Sequence, residues 1–157
     1  MRSAAALAVA LLLTACASPI RTQPPIPSGA DEITAAYLEL VDASNAATCT
    51  FNAALSQSAP TLDGLKLASG DYVDSLGRLI TGLRRLDWPA ELGADASELI
   101  YALGINQDHA QEMHVAETFD AFIAADNQLI ESNKVSAAAA TQLRTDLGLG
   151  SAGDPCD

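Results

Sequence analysis

The sequence predicts an all-α domain: an antiparallel up-down-up-down four-helix bundle whose C-terminal tail is bridged by a disulfide to helix 1. Three observations point there. Apolar and small residues recur in alternating steps of three and four through four long stretches, the spacing that lines one face of a helix. The breaks between stretches are short, which forces neighbouring helices to run antiparallel. No stretch alternates as a strand does, alanine is abundant, and aromatic residues make up only 4% of the chain, so little of it suits a sheet.

Helix 1 is expected from Ser28 to near Ser58. Ser28-Gly29-Ala30-Asp31 has capping-box spacing, with Asp in place of the usual Glu. Its seam is Ile33, Tyr37, Leu40, Ser44, Ala47, Phe51 and Ala54, and Pro60 lies beyond its end. Helix 2 takes Thr61 as N-cap, with Asp63 in the favourable first turn. Its seam is Leu62, Leu65, Ser69, Tyr72, Leu76, Leu79, Leu83 and Leu86. Gly64, Gly70, Gly77 and Gly82 interrupt it at a cost of ~1 kcal/mol each relative to Ala. They either admit a close neighbour or soften the helix.

Asp87-Trp88-Pro89 is the next break. Pro89 disfavours helix at Trp88 and itself suits a first helical position. Trp88 is expected to lay its ring over the last core layer. Helix 3 has the seam Leu92, Ala96, Leu99, Leu103, Asn106, Ala110 and Met113, ending near Ala116. Thr118 is the N-cap expected for helix 4, although one long kinked helix across this junction is the alternative. The last seam is Phe119, Phe122, Asp126, Leu129, Asn133, Ser136, Ala140, Leu143 and Leu147, stopped by Gly148 and Gly150. Alanine-rich seams imply close packing between helices.

Residues 1–15 have the form of an export signal: Arg2, then an apolar run over residues 4–13 that is too short to span a bilayer core of ~30 Å. The run ends in Leu13-Thr14-Ala15-Cys16, which resembles the lipobox of bacterial lipoproteins. The resemblance covers residues 1–16. It implies cleavage before Cys16, diacylation of the Cys16 thiol, and membrane attachment through that lipid. Two acyl chains anchor stably where one is marginal. Residues 16–27, rich in proline, read as an extended tether. The bundle then occupies residues 28–147 and a tail residues 148–157.

With Cys16 lipidated, Cys49 and Cys156 remain. An exported chain with an even cysteine count points to one bridge, with two free thiols as the alternative. Cys49 falls opposite the helix 1 seam, so the tail is expected to fold back along the outside of that helix. A net charge of −12 without any basic cluster argues against nucleic acid and anionic headgroups as partners.

The seams carry polar residues at Ser44, Ser69, Asn106, Asp126 and Asn133, all at heights of roughly 20 to 32 Å along the bundle at 1.5 Å per residue. Such residues either fix register or line a ligand pocket between helices. His109 and Met113 stand four apart, and soft ligands of this kind suit copper. The segment His109-Ala110-Gln111-Glu112-Met113 is faintly similar to a motif of some copper-associated exported four-helix proteins, but lacks their doubled histidine. The structural alternative is that His109 bonds Asp126 or solvent while Met113 fills core. No Glu-x-x-His pair, Gly-x-Ser-x-Gly or phosphate-cradling loop is present, so no metal, cofactor or catalytic residue is assigned.

The segments Asn45 to Asn52 around Cys49, Asp87-Trp88-Pro89, and residues 143–149 give the mature domain a diffuse resemblance to small alanine-rich exported helical proteins of high-GC bacteria. That resemblance implies no activity. The expectation is a lipid-anchored, non-enzymatic binding module of the cell envelope. It would engage an envelope protein, through an apolar or glycine-lined face along helix 2, or carry a small ligand or copper-type metal ion inside the bundle.

Overall fold

A computed structural model describes residues 30–150 and Cys156. The expected export signal, Cys16, the tether, the Ser28 cap and residues 151–155 lie outside the described residues. Four helices make up the fold: α1 (Ala30–Leu55), α2 (Leu62–Arg85), α3 (Gly93–Val115) and α4 (Phe119–Asp146). No strand occurs among the described residues. The helices form a four-helix bundle around one core, which includes Ile33 and Tyr37 of α1, Leu76 and Leu83 of α2, Ala110 and Met113 of α3, and Phe122 and Leu143 of α4.

The caps are local chemistry. Thr61 precedes α2 in extended conformation and its hydroxyl accepts from Gly64 N at 3.1 Å. Thr118 does the same for α4, accepting from Ala121 N at 3.2 Å. Residues 116–118 therefore separate α3 from α4, and the single kinked helix is not formed. Gly148 ends α4 at φ +70°, with its N–H on Thr145 O and Leu149 N–H on Arg144 O, the paired bonds of a Schellman motif.

Two details differ from the sequence expectation. Pro89 does not open α3. Residues 89–92 form a turn, closed by Leu92 N donating to Pro89 O at 2.9 Å, and α3 begins at Gly93 with no side-chain cap. Phe119 on the expected α4 seam is 45% exposed, while Ala125 and Ala139 are buried instead. Trp88 sits half-buried, its Nε1 donating to Leu83 O at 2.9 Å and its ring edge-on to Tyr37 at 6.4 Å.

Each helix packs against the next in sequence, whereas α1 and α4 share no comparable interface. Phe51 of α1 stacks on Tyr72 of α2 at 4.9 Å. Between α2 and α3 two bonds repeat one heptad apart: His114 Nδ1 donates to Lys66 O at 2.8 Å, and Gln107 Nε2 donates to Val73 O at 3.2 Å. Each carbonyl lies four residues before a glycine. A Cβ at Gly70 would lie 2.8 Å from His114 Nδ1, and one at Gly77 would lie 2.9 Å from Gln107 Nε2. The glycines thus bare the α2 backbone to α3 side chains, and Gly82 likewise makes room for Leu40 of α1. Gly70, Gly77 and Gly82 are thus each met by a side chain of a neighbouring helix, while Gly77 and Gly82 also line a surface groove with Leu40, Asp74 and Arg78.

Cys49 and Cys156 are joined by a disulfide, Cα–Cα 5.4 Å, across a sequence separation of 107.

Candidate functional site

The unpacked side of the bundle is a cleft of about 620 Å³ between α1 and α4. Its floor is apolar: Leu76, Leu79 and Leu83 come from α2, and Leu99 and Leu103 from α3. The α4 wall is built from Ser136 together with Asn133, Ala137, Ala140 and Arg144, the last four following one another in steps of four, three and four and so sharing one helix face. Ala140, on the expected α4 seam, is half-buried against the core and borders the cleft beside exposed Ala137.

The cleft has a polar inner end. Asn106 is 1% exposed, and its Nδ2 donates to Asn133 Oδ1 and to Ser136 Oγ, both at 2.8 Å. Ser136 Oγ in turn donates to Asn133 O at 3.1 Å. Among the described residues Asn106 Oδ1 is buried without a hydrogen-bond partner. Leaving such an acceptor unmet costs ~1–3 kcal/mol, so the position is expensive unless something meets it. Ser44, Thr48 and Tyr72 also line the cleft. Burial raises the Tyr72 hydroxyl above its ordinary range, and a hydrogen bond with Thr48 offsets part of the rise.

The other end is set by Tyr37 and Arg144. Burial raises the Tyr37 hydroxyl, and the Arg144 guanidinium beside it offsets part of that. Arg144 Nε donates to Gly150 O at 3.0 Å. Among the described residues Arg144 is the one cation lining the cleft, and exposed Asp42 on α1 is the one carboxylate.

The structure brings together only part of the five-residue polar layer. Ser44, Asn106 and Asn133 meet in the cleft. Ser69 is fully buried but bonds within its own helix, to Leu65 O at 2.9 Å. Asp126 is half-buried outside the cleft lining, and its burial raises its carboxyl above the usual range. His109 and Met113 diverge. Met113 is wholly in the core, whereas His109 lines a separate α3–α4 groove beside Ile105 and Val135, with Nδ1 3.5 Å from Glu112 Oε2. Among the described residues no three His, Cys, Asp or Glu side chains are grouped to hold a metal ion.

Sequence reasoning passed over Arg144, Tyr37 and Ser136 as site residues. Continuing the Asn133 spacing along α4 would have reached Arg144. Nothing local signals that Tyr37 and Arg144, which lie on helices far apart in sequence, share one end of a cleft. Comparison of the chain with protein-family models, with curated proteins and with solved structures finds no match in any of the three.

Proposed function

We propose that this chain is a lipid-anchored, non-enzymatic binding module of the bacterial envelope, and that its α1–α4 cleft takes a small, mainly apolar ligand. The carrying observation is Asn106, a buried amide with an unmet acceptor at the end of a leucine-floored cleft. Apolar walls with a few convergent polar groups are the usual make-up of a ligand site. The envelope assignment rests on the lipobox-like Leu13-Thr14-Ala15-Cys16, and the Cys49–Cys156 disulfide accords with an oxidising compartment.

An up-down-up-down course of the helices belongs to the same reading. Leu40 against Gly82 and Phe51 against Tyr72, His114 to Lys66 and Gln107 to Val73, and Asn106 to Asn133 all support antiparallel neighbours.

The test is mass spectrometry on the full chain purified from its own host. Expected are a polypeptide beginning at acylated Cys16 and a copurified amphiphile that is lost from Ala140→Phe, which fills the cleft. An intact, unmodified leader would remove the anchor. Retention of the same molecule by Ala140→Phe would remove the cleft.

A second reading, docking of an envelope protein, is favoured by Phe119, Ile123 and Ile130 on one face of α4, which are 45%, 50% and 49% exposed. Ile123→Ser with Ile130→Ser would then abolish capture of a partner while leaving the copurified ligand in place.

A further inference from the structure

We infer that the cleft is built for a bipolar amphiphile of the hydroxylated fatty-acid class: a carboxylate at Arg144, an apolar body on the leucine floor, and a hydroxyl at Asn106. This rests on the reading of the cleft as a binding site and names its ligand.

The spacing of the polar ends comes first. Arg144 and Asn133 bound the cleft on one helix, eleven residues apart. At 1.5 Å per residue that is ~16 Å. Between them α4 offers Ser136 beside Asn133 and then only Ala137 and Ala140, over a floor of leucines, while Asp42, Ser44, Asn45 and Thr48 line the α1 side. A ligand polar along its length would bury hydrogen-bonding groups against that floor without partners. A ligand apolar along its length would leave the Asn106 acceptor unmet.

The acid end follows from Arg144. A guanidinium fork takes a carboxylate through two parallel bonds. Gly150 O occupies Arg144 Nε, which leaves the terminal Nη groups for the ligand and for Tyr37 beside them. A cationic head would meet like charge there. The chain's net charge of −12 opposes an anion at long range, but salt screens that repulsion beyond ~8 Å, and the contact pair with Arg144 acts within it.

The hydroxyl end follows from the amide. Asn106 Nδ2 makes two bonds and Oδ1 makes none. Turning the amide over converts the unmet acceptor into an unmet donor. A hydroxyl both donates and accepts, so it satisfies either orientation. A second carboxylate or an amine would satisfy only one, and would bring a charge into an apolar interior.

The experiment uses the full chain in phospholipid vesicles. Trp88 is the chain's single tryptophan and lies edge-on to Tyr37, so its fluorescence reads the Arg144 end of the cleft. The probes are ricinoleate, whose hydroxyl is set back along the chain, oleate, which lacks it, and methyl ricinoleate, which lacks the charge. Partition of each probe into lipid is common to all variants, so the comparison runs across variants. The preference for ricinoleate over oleate should be about fivefold to tenfold larger in the native chain than in Asn106→Leu, the worth of one net hydrogen bond. Arg144→Gln should weaken both acids about tenfold and leave the methyl ester unchanged.

The same ricinoleate preference in Asn106→Leu, or acids unaffected by Arg144→Gln, overturns the ligand class; saturable binding in that case leaves the cleft reading standing. No saturable response to any probe, together with no copurified molecule, overturns both.

Discussion

Asn106 stands in α3 between Leu103 and Ala110, on a seam whose other members are core hydrophobes. Leucine there would gain ~1.5–3 kcal/mol of burial. It would lose two neutral hydrogen bonds of ~1 kcal/mol each, while Ser136 keeps its own bond to Asn133 O and the unmet acceptor disappears. Asn106→Leu should therefore raise the stability of the ligand-free protein by about 1 kcal/mol in urea unfolding, even as it removes the hydroxyl preference. A loss of stability would mean that the Asn106–Asn133–Ser136 cluster holds the bundle rather than a ligand. The seam periodicity made Asn106 and Asn133 legible; the unmet acceptor was not, because it depends on which atoms α3 and α4 bring together. Asp126 gives a separate check. Its burial raises the folded carboxyl above the unfolded value of ~3.9, so the penalty is complete above the folded pKa and fades as pH falls through it. Asp126→Asn should stabilise by a few tenths of a kcal/mol at neutral pH, since partial exposure screens the effect. That gain should shrink on acidification, as urea midpoints at neutral and mildly acidic pH would show.

Helix ends were legible where a side chain makes the cap, as Thr61 and Thr118 do. They were misread where backbone alone does the work. Proline fits the first turn of a helix, but it fits the turn over residues 89–92 equally well, and nothing in the sequence separates the two. The α2 glycines were visible yet unexplained, because their partners lie on α3. If close approach is their role, position decides the effect of adding a methyl group. Gly104 has open space around its Cβ position, so Gly104→Ala should stabilise by about 1 kcal/mol through helix propensity. At Gly70 the same methyl would meet two atoms of the His114 ring within 2.9 Å and displace its bond to Lys66 O. Losing that bond and repacking a rigid ring outweigh the propensity gain, so Gly70→Ala should destabilise by about 1 kcal/mol. Chemical denaturation of the two variants side by side decides it. Equal stabilisation would return Gly70 to being merely a weak helix former.

For the molecule as a whole, four helices and their order could be read from periodicity and short connections, but the cleft could not. Periodicity records which face of a helix is buried and says nothing about how far apart α1 and α4 stand, because no connection joins them. What ties α1 to the chain beyond α4 is the Cys49–Cys156 bridge, whose loop spans 107 residues and so encloses α2, α3 and α4. A cross-link over so long a loop acts chiefly on the unfolded chain, by removing its loop-closure freedom, and is worth up to ~4–5 kcal/mol in the chain-entropy treatment. The folded core does not depend on the sulfur atoms, since α1 keeps its contacts with α2 through Phe51 and Leu40. Cys156→Ser should therefore leave the helical circular-dichroism signal intact at room temperature while lowering stability by about 3–5 kcal/mol. The cross-linked unfolded state is the more compact one, so cutting the bridge should also steepen the dependence of stability on urea, a larger m-value. A fall in stability at unchanged m would place the effect in the folded protein, with the bridge holding α1 against the rest of the bundle. Loss of helical signal would make the bridge a condition of folding rather than a restraint on the unfolded chain.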